Sequence, residues 1–266
     1  MIATVDRDEL IKNLKLDPQS GHPIPRQLML SETEFRVDQN IDQSQSYDLF
    51  PGFDYHHGLF PDRNNYGLST NLTGFQQRAF LMFWAMQIGT RGGISIELGS
   101  AGVHMPWTIA SDIIRSGKTN PAYGGGTYNG VQLECDASNL DLLGNESFDG
   151  VLGNHLPEHL PCKYLSGDVT KISPQYKRSI HCDGSDVRET IRANWIRILR
   201  PRGIIAVIIP DAKYQDIFEI DKSHTHSWSG ESFRLQIADP LSDVMETLEL
   251  DSLANNFSFQ WVARKK

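Results

Sequence analysis

The chain has 266 residues with a formal net charge of −8 at pH 7, and 39% of its residues are hydrophobic. A chain of this length and composition can bury one sizeable core with room for an extension. Its negative charge disfavours nucleic acid as a partner, because phosphate binding needs a basic face. Its apolar runs are shorter than the roughly 18–20 residues that span a bilayer, and its first residues lack an apolar secretion core, so we expect no membrane segment.

The number and spacing of the cysteines indicate the redox environment of the protein. Cys135, Cys162 and Cys182 are odd in number and lack the spacing of a metal site. Secreted disulfide frameworks use even sets of cysteines in an oxidising environment. The cysteine usage therefore predicts a reduced, cytoplasmic setting.

The first quarter of the chain, residues 1–72, lacks the rhythm of strands and is predicted to be an N-terminal extension. Its segment 47–66 is dense in aromatic residues, histidine, glycine and proline. Two interpretations stay open: a loop whose rings pack on the main domain, or a lid over an acceptor pocket, since long loops are often functional.

Residues 73–266 are predicted to form the main domain, which begins with a helix over Thr73–Ile88. Its apolar face, directed toward a sheet, has residues at helical spacing. These are Phe75, Ala79, Met82, Phe83 and Met86.

The most informative segment is Gly93–Gly102. Ile94, Ile96 and Leu98 occupy alternate positions, which predicts a buried strand, and the small residues that follow predict a tight turn. Glycine there lets the chain turn sharply and lets a ligand approach the backbone, because no Cβ is present.

Further strands follow in a regular order, and two of them close on an acid. The second strand, Thr108–Asp112, ends at Asp112, and the third, Val131–Ala137, includes Asp136. A fourth strand begins at Ser147 and runs into a turn and a helix. The later elements are a strand at Ile204–Ile209, a helix beginning near Ser229 or Gly230, and two paired strands at Met245–Leu250 and Phe257–Val262.

In this order, the segments between Gly93 and Asp211 resemble the class I S-adenosylmethionine-dependent methyltransferases. They comprise an acid with G-x-A-G at the first strand, an acid at the second, Asp-Ala at the third, S-F-D and H-x-x-E-H-L around the fourth, and W-x-R-x-L-x-P before the fifth. The resemblance implies an α/β fold with one doubly wound, mostly parallel sheet of Rossmann-like type that ends in an antiparallel strand pair. It also implies S-adenosyl-L-methionine as the cofactor.

The resemblance implies cofactor contacts residue by residue. Glu97 is implied near the charged end of the cofactor, and Asp112 on the ribose hydroxyls. Asp136 and Ala137 are implied beside the adenine. The other implied contacts are the small residues after the first strand and the last residue of the fourth: Gly99, Ser100, Ala101 and Asn154.

The chain departs from the family pattern at two places. Arg202 stands where the family has the first of two glycines, which we expect to change only the turn before the fifth strand. The interval from Gly99 to Asp112 is short for a crossover helix and contains Pro106. We therefore expect one turn or an irregular loop there, and this shortening bears on Asp112 as the ribose acid.

The H-x-x-E-H segment has a second interpretation. His155, Glu158 and His159 also match the inverted motif of zinc proteases, which needs both histidines on one helical face. Pro157 lies between the histidines, so we expect His155 before the helix and no metal at this segment. The resemblance implies that His155, just after the fourth strand, faces the methyl group, whereas His159 is expected to be a core or capping residue.

His224 and His226, two residues apart, form another polar group after the fifth strand. Such a pair binds metal less often than it makes ordinary hydrogen bonds, and the resemblance implies that this segment closes over the acceptor. An imidazole suits the removal of a hydroxyl proton because its ordinary pKa lies near neutrality. His155, His224 and His226 are therefore the candidate catalytic residues.

The sequence thus predicts methyl transfer from S-adenosylmethionine to a small molecule, such as a hydroxyl of a sugar or secondary metabolite, without nucleic acid or membrane partners. One alternative is a methyltransferase-like subunit that binds without turnover. Another is a nicotinamide-dependent oxidoreductase, but His104 stands where the third glycine of G-x-G-x-x-G would be needed.

Overall fold

The computed structural model describes residues 80–81, 83–85, 87–89, 92–100, 108–113, 118–119, 127–128, 133–180, 182–252 and 257–266. The predicted N-terminal extension, the boundary at residues 72 and 73, and Ala101 lie outside the described residues, as do His104 and Pro106. Residues 80–89 are helical wherever they are described, in agreement with the predicted first helix.

The main sheet has seven strands, and its topology confirms the predicted doubly wound fold. Its strand order is β5-β2-β1-β6-β7-β9-β8. β1, β2, β5, β6 and β7 are parallel, whereas β9 runs antiparallel to both β7 and β8. The strands are β1 Ser95–Leu98, β2 Thr108–Asp112, β5 Leu133–Glu134, β6 Phe148–Asn154, β7 Leu199–Pro210, β8 Met245–Ser252 and β9 Ser258–Lys265.

Two short strands were not predicted, and the third predicted strand is shorter than expected. β3 Lys118–Thr119 and β4 Thr127–Tyr128 form a separate antiparallel pair, which the sequence pattern did not reveal. Among the described residues of the third predicted strand, only β5 is extended, so Asp136 and Ala137 follow the strand and do not lie within it.

Helices cover both faces of the sheet. After β6 the α-helices are α1 Pro174–Ser179, α2 Ser185–Thr190, α3 Ile217–Ile220 and α4 Gly230–Phe233, with π-helical continuations at Ile191–Ile196 and Arg234–Ala238 and 3₁₀ turns at Pro157–His159, Val169–Lys171 and Asp239–Leu241. α4 begins where the sequence predicts, because Ser229 and Ser232 form a reciprocal capping box. None of the helices within the described ranges is long and apolar enough to cross a membrane.

Alternation along the strands divides the core between the two faces of the sheet. On one face Ile96 and Val207 pack with Trp195 of the helix that precedes β7. On the other, Leu152 and Ile208 pack with the first helix. The buried positions of that helix are Phe80, Leu81, Ala85 and Ile88, whereas Phe83, predicted on the apolar face, is only partly buried.

The helix predicted after the fourth strand is wrong in length. In the segment directly after β6, only Pro157–His159 are helical, and they form one 3₁₀ turn. Leu160, which follows, is extended at φ −61° and ψ 149°, so the turn ends there. The segment H-x-x-E-H therefore has no helical face on which two histidines could align.

Arg202 adopts the left-handed backbone conformation, with φ 66°. The pairing of β6 with β7 shifts register between Phe148 and Gly150, and β7 accommodates extra residues there. A side chain at positive φ is unfavourable and glycine is not, which explains why the family pattern has glycine at this position.

Candidate functional site

Near the carboxyl ends of the five parallel strands, one residue within or just after each strand lies in a single row across the sheet. Leu98 pairs with both Ser111 and Gly153, so the next residue of each strand lies one register position further on. Asp112 pairs with Glu134, and Asn154 pairs with Ile208. We call this set the edge row: Glu134, Asp112, Gly99, Asn154 and Ile208.

Three of the predicted cofactor residues share one face of the sheet. Glu97 pairs with Ala110 on β2 and with Leu152 on β6. Side chains two residues apart on a strand point to the same side, so Asp112 and Asn154 share the side of Glu97. The sheet thus brings a buried glutamate, a buried aspartate and an asparagine to one corner.

This corner lies at the switch point of the topology. Within the sheet, β2 is the neighbour of β1 on one side, and β6 is its neighbour on the other side. In open α/β sheets the connections diverge at such a point and leave a crevice outside the carboxyl ends of the strands, where ligands bind. Gly99 follows β1 and Asn154 ends β6, so these two residues lie on either side of the position where this rule places a ligand.

The turn after β1 is shaped by Gly99 and Ser100. Gly99 has φ 67°, and a Cβ built on it would lie 3.1 Å from Leu156 Cδ1. The Ser100 amide donates to the carbonyl of Ser111 at 2.9 Å, which ties the turn to β2. Glycine is therefore needed for the conformation and for the close packing of the turn, as the sequence predicts.

Asn154 carries a polar atom that fits a ligand. Its Oδ1 is buried and accepts no hydrogen bond from any residue that the structure describes. A buried acceptor without a donor is costly, and an N–H or O–H group of a ligand in the crevice would satisfy it.

The residues predicted at the adenine are partly engaged with the protein. Asp136 Oδ1 accepts from the amide and the hydroxyl of Ser138, at 2.8 and 2.7 Å. The carbonyl of Ala137 accepts from Trp195 Nε1 at 2.8 Å. These contacts hold the Asp-Ala turn in place just after β5, and they leave Asp136 exposed to solvent.

Glu158 is the most unusual acid of the site, and the sequence did not mark it as important. Its side chain is fully buried, and neither carboxyl oxygen makes a hydrogen bond within the described part of the chain. His155 Nδ1 lies 4.0 Å from its Oε1, and His224 Nε2 lies 3.9 Å from the same atom. Burial raises the pKa of the Glu158 carboxyl well above its usual value, which favours the neutral acid.

The imidazoles around Glu158 are held in their uncharged form. Burial lowers the pKa values of His155, His159 and His224, and the neighbouring His224 lowers those of His155 and His159 further. His224 Nδ1 lies 2.7 Å from the carbonyl of Ile217, so Nδ1 carries the proton and Nε2 faces Glu158. The ligand atoms of Glu158, His159 and His224 lie within 4.8 Å of one another.

The three candidate catalytic histidines are placed differently. His155 follows β6 directly, with φ 50°, and 33% of its side chain is exposed. His224 and His226 are both buried in the segment after β7. The structure brings His155 and His224 together on Glu158, whereas the His226 ring stacks on Trp228 with centroids 4.9 Å apart.

The segment that bears His224 and His226 is fastened to the 3₁₀ turn. The amides of Thr225 and His226 donate to the carbonyl of Glu158, at 2.8 and 3.2 Å. The resemblance implies that this segment lies beside the acceptor, and the structure packs it against the residues that follow β6.

The chain matches no protein-family model and no curated protein sequence. Solved structures similar to it include the N-methyltransferase NodS of Bradyrhizobium japonicum WM9 in complex with S-adenosyl-L-homocysteine, at 13% identity and a TM-score of 0.42, covering 85% of this chain and 98% of NodS. Another is the 1,6-didemethyltoxoflavin-N1-methyltransferase of Burkholderia thailandensis, at 13% identity and a TM-score of 0.39, covering 74% of this chain and 83% of that protein. A complex of the Haloferax volcanii Trm112 methyltransferase activator with a methyltransferase matches at 13% identity and a TM-score of 0.42, over 65% of this chain and 82% of that one. One fold hosts many activities, so function must be argued from the site itself.

Proposed function

We propose that the chain binds S-adenosyl-L-methionine at the edge row and transfers its methyl group to a small molecule. The observation that carries this proposal is the meeting of Gly99, Asp112 and Asn154 at the switch point of the sheet, one register position beyond the paired residues of β1, β2 and β6. Gly99 and Ser100, the described residues of the turn that resembles the methyltransferase cofactor loop, lie at this same corner.

The residues present fit that cofactor. Asp112 offers two carboxylate oxygens, which can accept hydrogen bonds from two neighbouring hydroxyls of a ribose. Asn154 Oδ1 is a buried acceptor without a donor among the described residues, and an ammonium group would supply one. Glu97, buried on the same face, offers a carboxyl group that can interact with a sulfonium and an ammonium group.

We assign the acceptor side to the histidines that follow β6 and β7. His155 is the strongest candidate for the base because it adjoins Asn154 and retains an exposed edge, whereas His224 and His226 are buried. When bound, S-adenosylmethionine supplies a methyl group that is open to in-line attack. His155, which is uncharged at neutral pH, would orient an acceptor hydroxyl and take its proton as the oxygen attacks. Because burial lowers the pKa of His155 to about 3, positioning supplies most of the rate.

A binding subunit without turnover and a nicotinamide oxidoreductase remain the competing functions. The first shares the cofactor site, and turnover separates it from an enzyme. The second would need a pyrophosphate cradle with three glycines after β1, and the sequence has His104 at the third position.

Thermal melting tests the cofactor assignment. S-adenosylhomocysteine at about 100 times its Kd should stabilise the native chain by roughly 2.7 kcal/mol, whereas NAD⁺ at the same concentration should leave the melting temperature unchanged. Asp112→Asn should reduce the shift, and Asp251→Asn, an exposed acid on the distant strand β8, serves as the matched control. Stabilisation by NAD⁺ alone would overturn the proposal.

A further inference from the structure

A second group of chemically reactive side chains lies outside the edge row. Cys162 follows the 3₁₀ turn after β6, Cys182 precedes α2, and His226 lies in the segment after β7. Their three donor atoms lie within 4.8 Å of one another. Cys162 and His226 are buried, and Cys182 is partly buried. We call these three residues the thiol–imidazole cluster.

Thr225 fixes which nitrogen of His226 can bind a ligand. Its Oγ1 lies 2.6 Å from the carbonyl of Leu160 and 2.9 Å from that of Glu158, and both can only accept. The Thr225 hydroxyl therefore donates to these carbonyls, and its lone pairs accept from His226 Nδ1 at 2.8 Å. Nδ1 carries the proton, so Nε2 presents a lone pair.

That lone pair has no hydrogen-bond partner. His226 Nε2 is buried and is bonded to nothing in the part of the chain that the structure describes. Metal-binding histidines donate the proton of their other ring nitrogen to an oxygen in this way, which sets the tautomer and the direction of the ring. The arrangement of Thr225 and His226 is that of a ligand and its support.

The two thiols are closer together than unlinked sulfur atoms tolerate. Cys162 Sγ and Cys182 Sγ lie 2.6 Å apart. So short an approach is relieved either by a bond between the two sulfur atoms or by their separation around an ion that both bind. A disulfide would leave the lone pair of His226 unused, whereas an ion would use all three donors.

We propose that Cys162, Cys182 and His226 bind a zinc ion as a three-ligand site, independently of the methyl-transfer proposal. Thiolate and imidazole are the donors that zinc prefers, and its tetrahedral coordination leaves a fourth position for solvent. Two thiolates neutralise the dication, so the loaded site carries no net charge. On one tetrahedral zinc the sulfur atoms lie about 3.8 Å apart, so the cysteine side chains separate by roughly 1 Å when the ion enters.

The neighbouring group of Glu158, His159 and His224 is the weaker candidate for the same ion. It offers one carboxyl group and two imidazoles, whereas the thiol–imidazole cluster offers two sulfur donors, which zinc binds more readily than a carboxylate. Asp183 and Asp186 act electrostatically on both Cys182 and His226, which adds negative charge near the thiol–imidazole cluster. An ion at the cluster would link three segments that are separated in sequence and adjacent at the carboxyl end of the sheet.

The test uses the full chain, reduced with a phosphine, stripped with a chelator and titrated with Zn²⁺ or Co²⁺. We expect one ion per chain, and the Co²⁺ form should show thiolate-to-cobalt charge transfer together with the visible bands of tetrahedral cobalt. Cys162→Ser and Cys182→Ser should abolish the charge-transfer band or weaken binding at least 100-fold, whereas Cys135→Ser, a buried cysteine outside the cluster, should bind normally. Thr225→Val should lower the affinity 10- to 100-fold, since it removes the support of His226.

Three results would overturn the proposal. One is a reduced, folded wild-type chain that binds neither ion. Another is binding without thiolate charge transfer, particularly if it is lost in Glu158→Gln, because the ion would then lie at the neighbouring group. The third is a Cys162–Cys182 disulfide that persists under the phosphine and excludes the ion, as read by peptide mass spectrometry. The wild-type measurement needs no variant, so a variant that fails to fold does not affect it.

Discussion

The edge row and the thiol–imidazole cluster lie at the same end of the sheet, but they are assembled in different ways. The edge row consists of residues that lie side by side on neighbouring strands, so the register of the sheet dictates which residues meet. The cluster draws Cys162, Cys182 and His226 from three connecting segments, and the packing of those segments dictates which residues meet. Strand register therefore sets the proposed cofactor site, and loop packing sets the proposed metal site.

The largest predicted effect separates turnover from binding at the edge row. His155→Asn should reduce turnover about 100- to 10,000-fold if the imidazole is the general base, with little change in cofactor affinity. Asparagine suits the test because it tolerates the left-handed conformation that His155 adopts at φ 50°. The assay follows S-adenosylhomocysteine formation with a hydroxyl acceptor found by screening polyhydroxylated small molecules. Full activity of the variant would leave positioning as the sole source of rate.

The next effect distinguishes the two regions by ligand. Asn154→Ala or Asp112→Asn should weaken the binding of S-adenosylhomocysteine by roughly 1–3 kcal/mol, the scale for loss of a buried hydrogen-bond partner. Neither change should alter the zinc content of the chain, since both residues lie outside the cluster. Isothermal titration and metal analysis of the same samples check both statements. A loss of zinc in either variant would mean that the two regions form one site.

Asp136 offers a finer test within the cofactor region. Asp136→Ala should also weaken cofactor binding by roughly 1–3 kcal/mol if its free oxygen meets the adenine. Ser138→Ala is the matched control, because it removes the hydroxyl that donates to Asp136 Oδ1 and keeps the carboxylate. Unchanged affinity in Asp136→Ala, with a loss in Asp112→Asn, would place the adenine elsewhere.

A smaller effect concerns the pH dependence of stability. His155 has a pKa of about 3 in the folded chain, lowered mainly by burial, against about 6.5 when unfolded. Between these values the unfolded state binds a proton that the folded state does not, so stability is lost as the pH falls through this window. Because part of the ring is exposed, we expect about 1 kcal/mol at pH 5. Urea unfolding at pH 7 and 5 should show a loss larger by this amount in wild type than in His155→Asn, and equal losses would contradict it.

The smallest effect lies at the opposite end of the sheet. Arg202→Gly should stabilise the chain by a few tenths of a kcal/mol to about 1 kcal/mol, because relief of the positive φ exceeds the added freedom of the unfolded chain. Arg202→Ala keeps the unfavourable conformation and should not stabilise. Chemical denaturation measures both, and equal stability of the two variants would show that the conformation at residue 202 costs nothing.

Strand-end residues were predictable from sequence because alternation and turn chemistry are local. β2 spans Thr108–Asp112 as the pattern predicts, and Gly99 has the positive φ that the turn requires. The importance of Glu158 could not be predicted from the sequence. His155 lies three positions before it, but His224 lies beyond β7, so only the fold brings both imidazoles to one carboxyl group. The cluster was hidden for the same reason: its cysteines lie 20 positions apart, and its third donor comes from beyond β7. Spacing rules detect ligands that share one turn or hairpin, and they do not detect ligands that tertiary packing brings together.

The most direct test of cofactor binding at the edge row is a crystal structure of the chain with S-adenosylhomocysteine. We expect the ligand in the crevice between β1 and β6, with its backbone contacts at Gly99 and Ser100, a hydrogen bond to Asn154 Oδ1 and the ribose at Asp112. A ligand bound at another part of the sheet, or a folded chain that remains unliganded in crystals soaked at millimolar concentration, would contradict the proposed site.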